Sequence, residues 1–294
     1  MSQLTAHSET GKIKSLILKS AKSAFQSPEK IEDEWLALRF LSAPVYSIAE
    51  TEYLEFQSLL QKQDIVLSFL PEDNESTLDS IYCRDAAIMT DAGLILCNMG
   101  KEARAAEPAA IGELARQVEI PILGIIRKPG TLEGGDVAWI NRNTLAVGYS
   151  YRTNLSGIRQ LAALLKPLGV SIIQVDLPHY QGKEDVFHLM SVFSPVDHEL
   201  AVVYSPLMPI AFRKLLLEKS FTLIEVPDSE FDSMGCNVLA LAPGLCLMLE
   251  GNPKTRQALE DHGCKVITYR GEEISMKGGG GPTCLTRPLY RDIS

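Results

Sequence analysis

Apolar positions along this chain follow two alternating periods. In five segments they recur every three or four residues, the spacing that gives a helix one buried face: residues 48–61, 107–117, 155–168, 207–218 and 254–262. After each comes a short run rich in branched aliphatic residues that predicts a strand: residues 64–70, 120–126, 170–177, 222–226 and 264–269. Between one such run and the next helix lie further strand-like stretches, at residues 86–89, 94–98, 136–140, 144–149, 200–204, 238–242 and 245–249. The unit is therefore a few strands and one helix, recurring roughly every 40 to 60 residues, a period that predicts a modular array or a ring. No linker, charge block or low-complexity stretch divides the 294 residues, so they read as one domain, 1–294, with residues 1–11 as a flexible tail.

Polar or glycine-rich loops fall after each of the five strand runs. They contain Asp79 and Arg84-Asp85, then Glu133-Gly-Gly-Asp136, then His188, then Gly235-Cys-Asn237, then four glycines leading through Pro282 and Thr283 to Cys284. If the units close around an axis, these loops converge. Distant positions then become one cleft holding carboxylates, a histidine and a thiol.

Composition adds constraints. Hydrophobic residues make up 46% and charged residues 22%, as in a soluble globular protein. A net charge of −9 argues against a nucleic-acid partner and suits a small cationic substrate. The first residues carry no basic region and no apolar core, so no secretory signal is read. The most apolar stretch, 238–249, is too short to span a membrane and contains Pro243 and Gly244. These features predict a cytoplasmic protein without a membrane partner.

The six cysteines show neither a C-x-x-C pair nor zinc spacing, so no metal site is expected. Cys97 and Cys246 sit in apolar runs and read as buried hydrophobes. Cys284 sits in a loop, where reactive groups are commonly presented, and is the candidate nucleophile. The other candidates each have a plainer reading. Asp79 and Asp85 serve equally as turn residues or helix caps. Glu133-Gly-Gly-Asp136 could simply turn between strands. His188, between Phe187 and Leu189, could be a satisfied core histidine. The glycine run is not a phosphate loop, because no Gly-Lys-Ser/Thr follows it.

Taken together, Asp79, Arg84-Asp85, Glu133-Gly-Gly-Asp136, Tyr151-Arg-Thr-Asn154, His188-Leu, Gly235-Cys-Asn237 and Gly-Gly-Pro-Thr-Cys284 resemble the guanidino-group-modifying enzymes of the pentein superfamily. The likeness is greatest to the dimethylarginine dimethylaminohydrolases, with arginine deiminases and amidinotransferases as relatives. It runs from about residue 70 to 287 and implies an α/β fold, a five-bladed propeller with pseudo-fivefold symmetry. It also implies that Cys284 is the nucleophile, His188 the general acid and base, and Glu133 with Asp85 the guanidinium-binding carboxylates. Arg152 looks like the arginine that binds a substrate carboxylate, and Arg104 is a second candidate. For either arginine the plainer reading is a solvated surface side chain. Asp79, Asp136 and Asn237 complete the expected substrate-binding set.

That chemistry suits the residue types. A carboxylate matches the N–H fork of a guanidinium. A thiolate can add to its central carbon where a neutral hydroxyl would not. The expected reaction converts a free methylated arginine to citrulline and an amine through a covalent thiouronium on Cys284, without cofactor. Met190, where deiminases carry Asp, and the lack of their long insertion favour the dimethylaminohydrolase side. Arg84-Asp85 and Glu133-Gly-Gly-Asp136 look more deiminase-like. Deimination, amidine transfer and a non-catalytic binding role are the alternatives, and a homodimer is left open.

Overall fold

Four of the five units fold the same way: an antiparallel hairpin, a helix, then a strand returning parallel to the second strand of the hairpin. A computed structural model gives this arrangement and describes residues 3–185 and 187–294. The four sheets are Ala87–Thr90, Gly93–Leu96 and Ile122–Ile125; Val137–Asn141, Thr144–Tyr149 and Ser171–Asp176; Phe193–Asp197, Leu200–Val203 and Thr222–Glu225; and Leu239–Ala242, Leu245–Leu249 and Lys265–Tyr269. The remaining sheet draws on both ends of the chain. In it Arg287–Asp292 lies antiparallel between Leu4–Thr5 and Lys12–Leu18, and Val66–Phe69 follows parallel on the outside. Neighbouring sheets meet through their inner strands, Phe193–Asp197 beside Leu239–Ala242, Leu239–Ala242 beside Lys12–Leu18, and Arg287–Asp292 beside Ala87–Thr90, in keeping with the ring that the repeat predicts.

Local chemistry explains the units. Helix Leu155–Leu165 starts where Asn154 accepts the N–H of Gly157, and it buries Ile158, Leu161 and Leu165, one face at helical spacing. Those side chains join Leu145 and Val147 of the adjoining sheet in one core cluster. Burying each such side chain is worth about 1.5–3 kcal/mol. Second strands such as Leu200–Val203 are buried on every residue, so they read as continuous apolar runs rather than alternating ones.

The structure corrects the expected boundaries in three places. Residues 3–11 are not a loose tail: Leu4 and Thr5 pair with Asp292 and Arg291, and His7 and Glu9 are buried. Met1 and Ser2 lie outside the described residues. The strands Phe193–Asp197 and Arg287–Asp292 are unanticipated because each holds a proline, and both ladders shift register beside it, after Pro195 and after Pro288. Helices Ala21–Phe25 and Pro28–Leu38 are also additional, packed with Tyr46–Gln61 on the first sheet. No helix among the described residues is long and apolar enough to cross a membrane.

Candidate active site

The strand-entry loops meet at one end of the ring. Asp79, Asp85, Arg104, Arg152, His188 and Cys284 line one small pocket there, of about 20 Å³, which adjoins a vestibule of about 600 Å³ sharing His188, Gly278, Gly279 and Cys284.

Cys284 alone of the six cysteines keeps partial exposure; the other five are buried. Its thiol is placed by a neighbour. Asn237 Nδ2 lies 3.4 Å from Sγ, while Asn237 Oδ1 accepts the Thr283 N–H and hydroxyl at 3.1 and 2.9 Å. The glycines come close to protein rather than only to a ligand. A Cβ at Gly280 would fall 2.4 Å from the ring of Tyr82, so a side chain there would lift the loop off its seat. Burial pushes the Cys284 thiol up, and Asp85 pushes it further; the contacts from Asn237 and Thr283 and the charge of Arg84 oppose this without reversing it. The resting thiol is therefore neutral.

His188 Nε2 meets Glu133 Oε2 at 2.8 Å. The other oxygen of Glu133 accepts the N–H groups of Gly100 and Lys101 at 2.9 and 3.0 Å. Burial alone would lower His188, but Asp85, Asp136 and Glu133 outweigh it and lift the imidazole to about 9. Burial would raise Glu133, yet the hydrogen bond and charge of His188, then Arg152, hold it down near about 2. The pair is imidazolium and carboxylate. Asp136, which burial raises to about 6, accepts the Leu189 N–H at 3.0 Å and the Ser150 hydroxyl at 2.6 Å. It anchors the His188 turn. Gly135 is required by crowding, since a Cβ there would lie 2.5 Å from His188 Nδ1 and 2.7 Å from Asp85 Oδ1.

Asp85 remains in the pocket, accepting the Gly135 N–H through Oδ1 and pairing with Arg104 through Oδ2. Arg104 also forks onto both oxygens of Glu107 at 2.8 and 2.7 Å and donates to the Tyr82 carbonyl. Asp79 pairs with Lys101 Nζ. Arg152 is buried beside the pocket, with Nη1 3.7 Å from Glu133 Oε1 and Nη2 3.5 Å from the Asp185 carbonyl.

The arrangement brings together Cys284, His188, Asp85, Asp79, Arg104 and Arg152 as pocket lining, but gives four expected binding residues other work. Glu133 is fully buried behind His188 and, unlike Asp85, does not line the pocket, so it orients the imidazole rather than gripping a guanidinium. Asp136 holds a turn, and Asn237 holds the thiol. Arg104 is engaged by three protein acceptors and fixes Asp85. Asp85, Glu133 and His188 offer donor atoms within 4.8 Å of one another, but the contacts above already engage the two carboxylates and His188 Nε2. Lys101 was missed; its only sequence signal is a glycine before it in a strand-end loop. Glu107 was missed as well, although Arg104 three residues earlier is helical-pair spacing.

The family described as N,N dimethylarginine dimethylhydrolase, eukaryotic, matches residues 42–291. The N(G),N(G)-dimethylarginine dimethylaminohydrolase of Pseudomonas aeruginosa is 27% identical over 264 residues, covering 89% of this chain and 96% of that protein. A solved structure of the Pseudomonas aeruginosa enzyme, a Cys-to-Ser mutant complexed with citrulline, superposes with TM-score 0.77 at 24% identity, covering 95% of this chain and all (100%) of that one. The amidinotransferase SxtG of Microseira wollei superposes with TM-score 0.76 at 17% identity, covering 98% of this chain and 97% of that one. These two likenesses in structure establish the five-bladed pentein fold.

Proposed function

This chain belongs to the N,N dimethylarginine dimethylhydrolase family and is a guanidino-group-acting hydrolase; from that premise we propose that it hydrolyses a free N-methylated arginine to citrulline and a methylated amine through a covalent intermediate on Cys284. The observation that carries this reading is the meeting of a neutral thiol, a protonated imidazole and two carboxylates in one pocket.

The inner pocket holds little more than a water, so the substrate side chain enters from the vestibule and displaces the glycine loop or the Lys101 side chain. Asp85 and Asp79 receive the guanidinium N–H groups. Arg152 pairs with the α-carboxylate. The arriving cation offsets the charge of Asp85 and lowers the Cys284 thiol, whose proton passes to solvent. The thiolate adds to the guanidinium carbon. His188, held protonated by Asp85, Asp136 and Glu133, gives its proton to the substituted nitrogen; the C–N bond breaks and the amine leaves, with a thiouronium on Sγ. The now neutral His188 takes a proton from water, and the hydroxide formed adds to the same carbon. The C–S bond breaks, the thiolate returns, the added hydroxyl gives its proton to solvent, and the ureido product is released.

The test is a product screen. Purified protein incubated with arginine, mono- and dimethylarginines and agmatine, with mass detection, should give citrulline and methylated amine from the methylated substrates. The intact protein should carry a trappable adduct that Cys284→Ser abolishes. Ammonia from unmethylated arginine as the dominant product would make it a deiminase. Transfer of the amidine to an added amine in preference to water would make it an amidinotransferase.

A further inference from the structure

Beneath the catalytic loops the ring carries a charge imbalance that the reaction does not use. Arg84, Arg287 and Arg291 are all buried there, and one carboxylate, Glu9, answers them. Arg84 Nη2 donates to Glu9 Oε2 at 2.9 Å. Burial would raise Glu9, but Arg84 and Arg291 hold its carboxyl below the usual range, so it is ionised. Burial and the charge of Arg84 lower Arg287 and Arg291 to about 10, which leaves both protonated at neutral pH. The thiols within electrostatic reach of Arg287, Cys83 and Cys97, are pushed up by burial and are neutral. Three cations against one anion leave two positive charges without an answer.

The hydrogen bonds show the same deficit. Arg287 Nη2 donates to the Arg84 carbonyl at 2.7 Å, and Arg291 Nη1 to the carbonyls of Gly11 and Ala240 at 2.7 and 2.8 Å. Arg84 Nε and Nη1, Arg287 Nε, and Arg291 Nε and Nη2 are buried and have no partner among the described residues. A buried unmet donor on a charged group costs more than on a neutral one. Water could accept these bonds, but it carries no charge.

We propose that Arg84, Arg287 and Arg291 bind a small monovalent anion of the chloride class inside the ring. The ion accepts from the orphaned N–H groups and halves the excess charge. A cavity of about 530 Å³, bordered by Arg142, His198 and Glu9, reaches the carboxylate that pairs with Arg84. A monoanion fits better than a multivalent one, because a dianion would over-compensate beside Glu9.

Two measurements on the wild-type protein test this. Crystals grown without chloride and soaked in bromide should show an anomalous peak between the three guanidinium groups. Bromide found elsewhere, with only water at this point, overturns the assignment. In solution at constant ionic strength, replacing gluconate by chloride should raise the melting midpoint and saturate in the millimolar range, as ligand linkage requires. A flat response marks any crystal peak as adventitious and also overturns it. Glu9→Gln removes the competing carboxylate, so half-maximal stabilisation should move several-fold lower in chloride. A shift upward, or none, counts against the site; should that variant fail to fold, the two wild-type measurements decide alone.

Discussion

Cys284 and His188 rest with the proton on each, not as a preformed thiolate–imidazolium pair. The unliganded thiol should therefore alkylate with an apparent pKa above the ordinary 9.0, and a saturating, unreactive guanidine should lower that value. An identical titration with and without the ligand would refute the role of the cation. Glu133→Gln should keep the imidazole in place but weaken its hold on the proton, which Asp85 and Asp136 still favour, lowering kcat by roughly 10²-fold. The His188 pair also sets a pH dependence of stability. Its folded pKa lies above the unfolded value, so the stabilisation is complete below about 6.5 and is lost as pH rises through about 9, on the order of 3 kcal/mol in all. Urea titrations of wild type and His188→Gln should thus converge from about pH 6 to about pH 10.

Among elements, the turn before helix Leu155–Leu165 joins stability to specificity. Asn154 caps that helix and also accepts the Thr131 N–H, two residues from Arg152. Asn154→Ala should cost about 1 kcal/mol of stability and loosen Arg152, raising KM. Arg152→Ala should raise KM for a free amino acid far more than for agmatine, which lacks the carboxylate; the lost bond is worth about 1.5–3 kcal/mol. Equal losses on both substrates would assign Arg152 to the fold. The helices of the five repeats and their outer strands were legible because one-sided burial writes a period into them, as Ile158, Leu161 and Leu165 do. The strands holding Pro195 and Pro288 were not, since a proline and a register shift erase the alternation. The site was legible as a set of residue types. Which carboxylate would face the pocket was not, because Glu133 and Asp85 differ only in partners supplied from other loops.

At the scale of the whole molecule, the ring is sealed by hydrogen bonds rather than by a peptide link, with Leu4 paired to Asp292. The two chain ends are thus neighbours. A circular permutant joined there and opened at the exposed rim turn between Lys219 and Ser220 should fold and keep wild-type kcat. Loss of activity in a folded permutant would show that the seam, and not only the ring, shapes the pocket. The seam also has an order in time. Chains are synthesised from the N-terminus, and the sealing strand Arg287–Asp292 follows Cys284 directly. Cys284 and the closure of its scaffold therefore leave the ribosome together, after every other blade. Under the proposed mechanism a nascent chain displays Glu133 and His188 long before it owns Cys284, so it stays inactive towards guanidino groups while still half made.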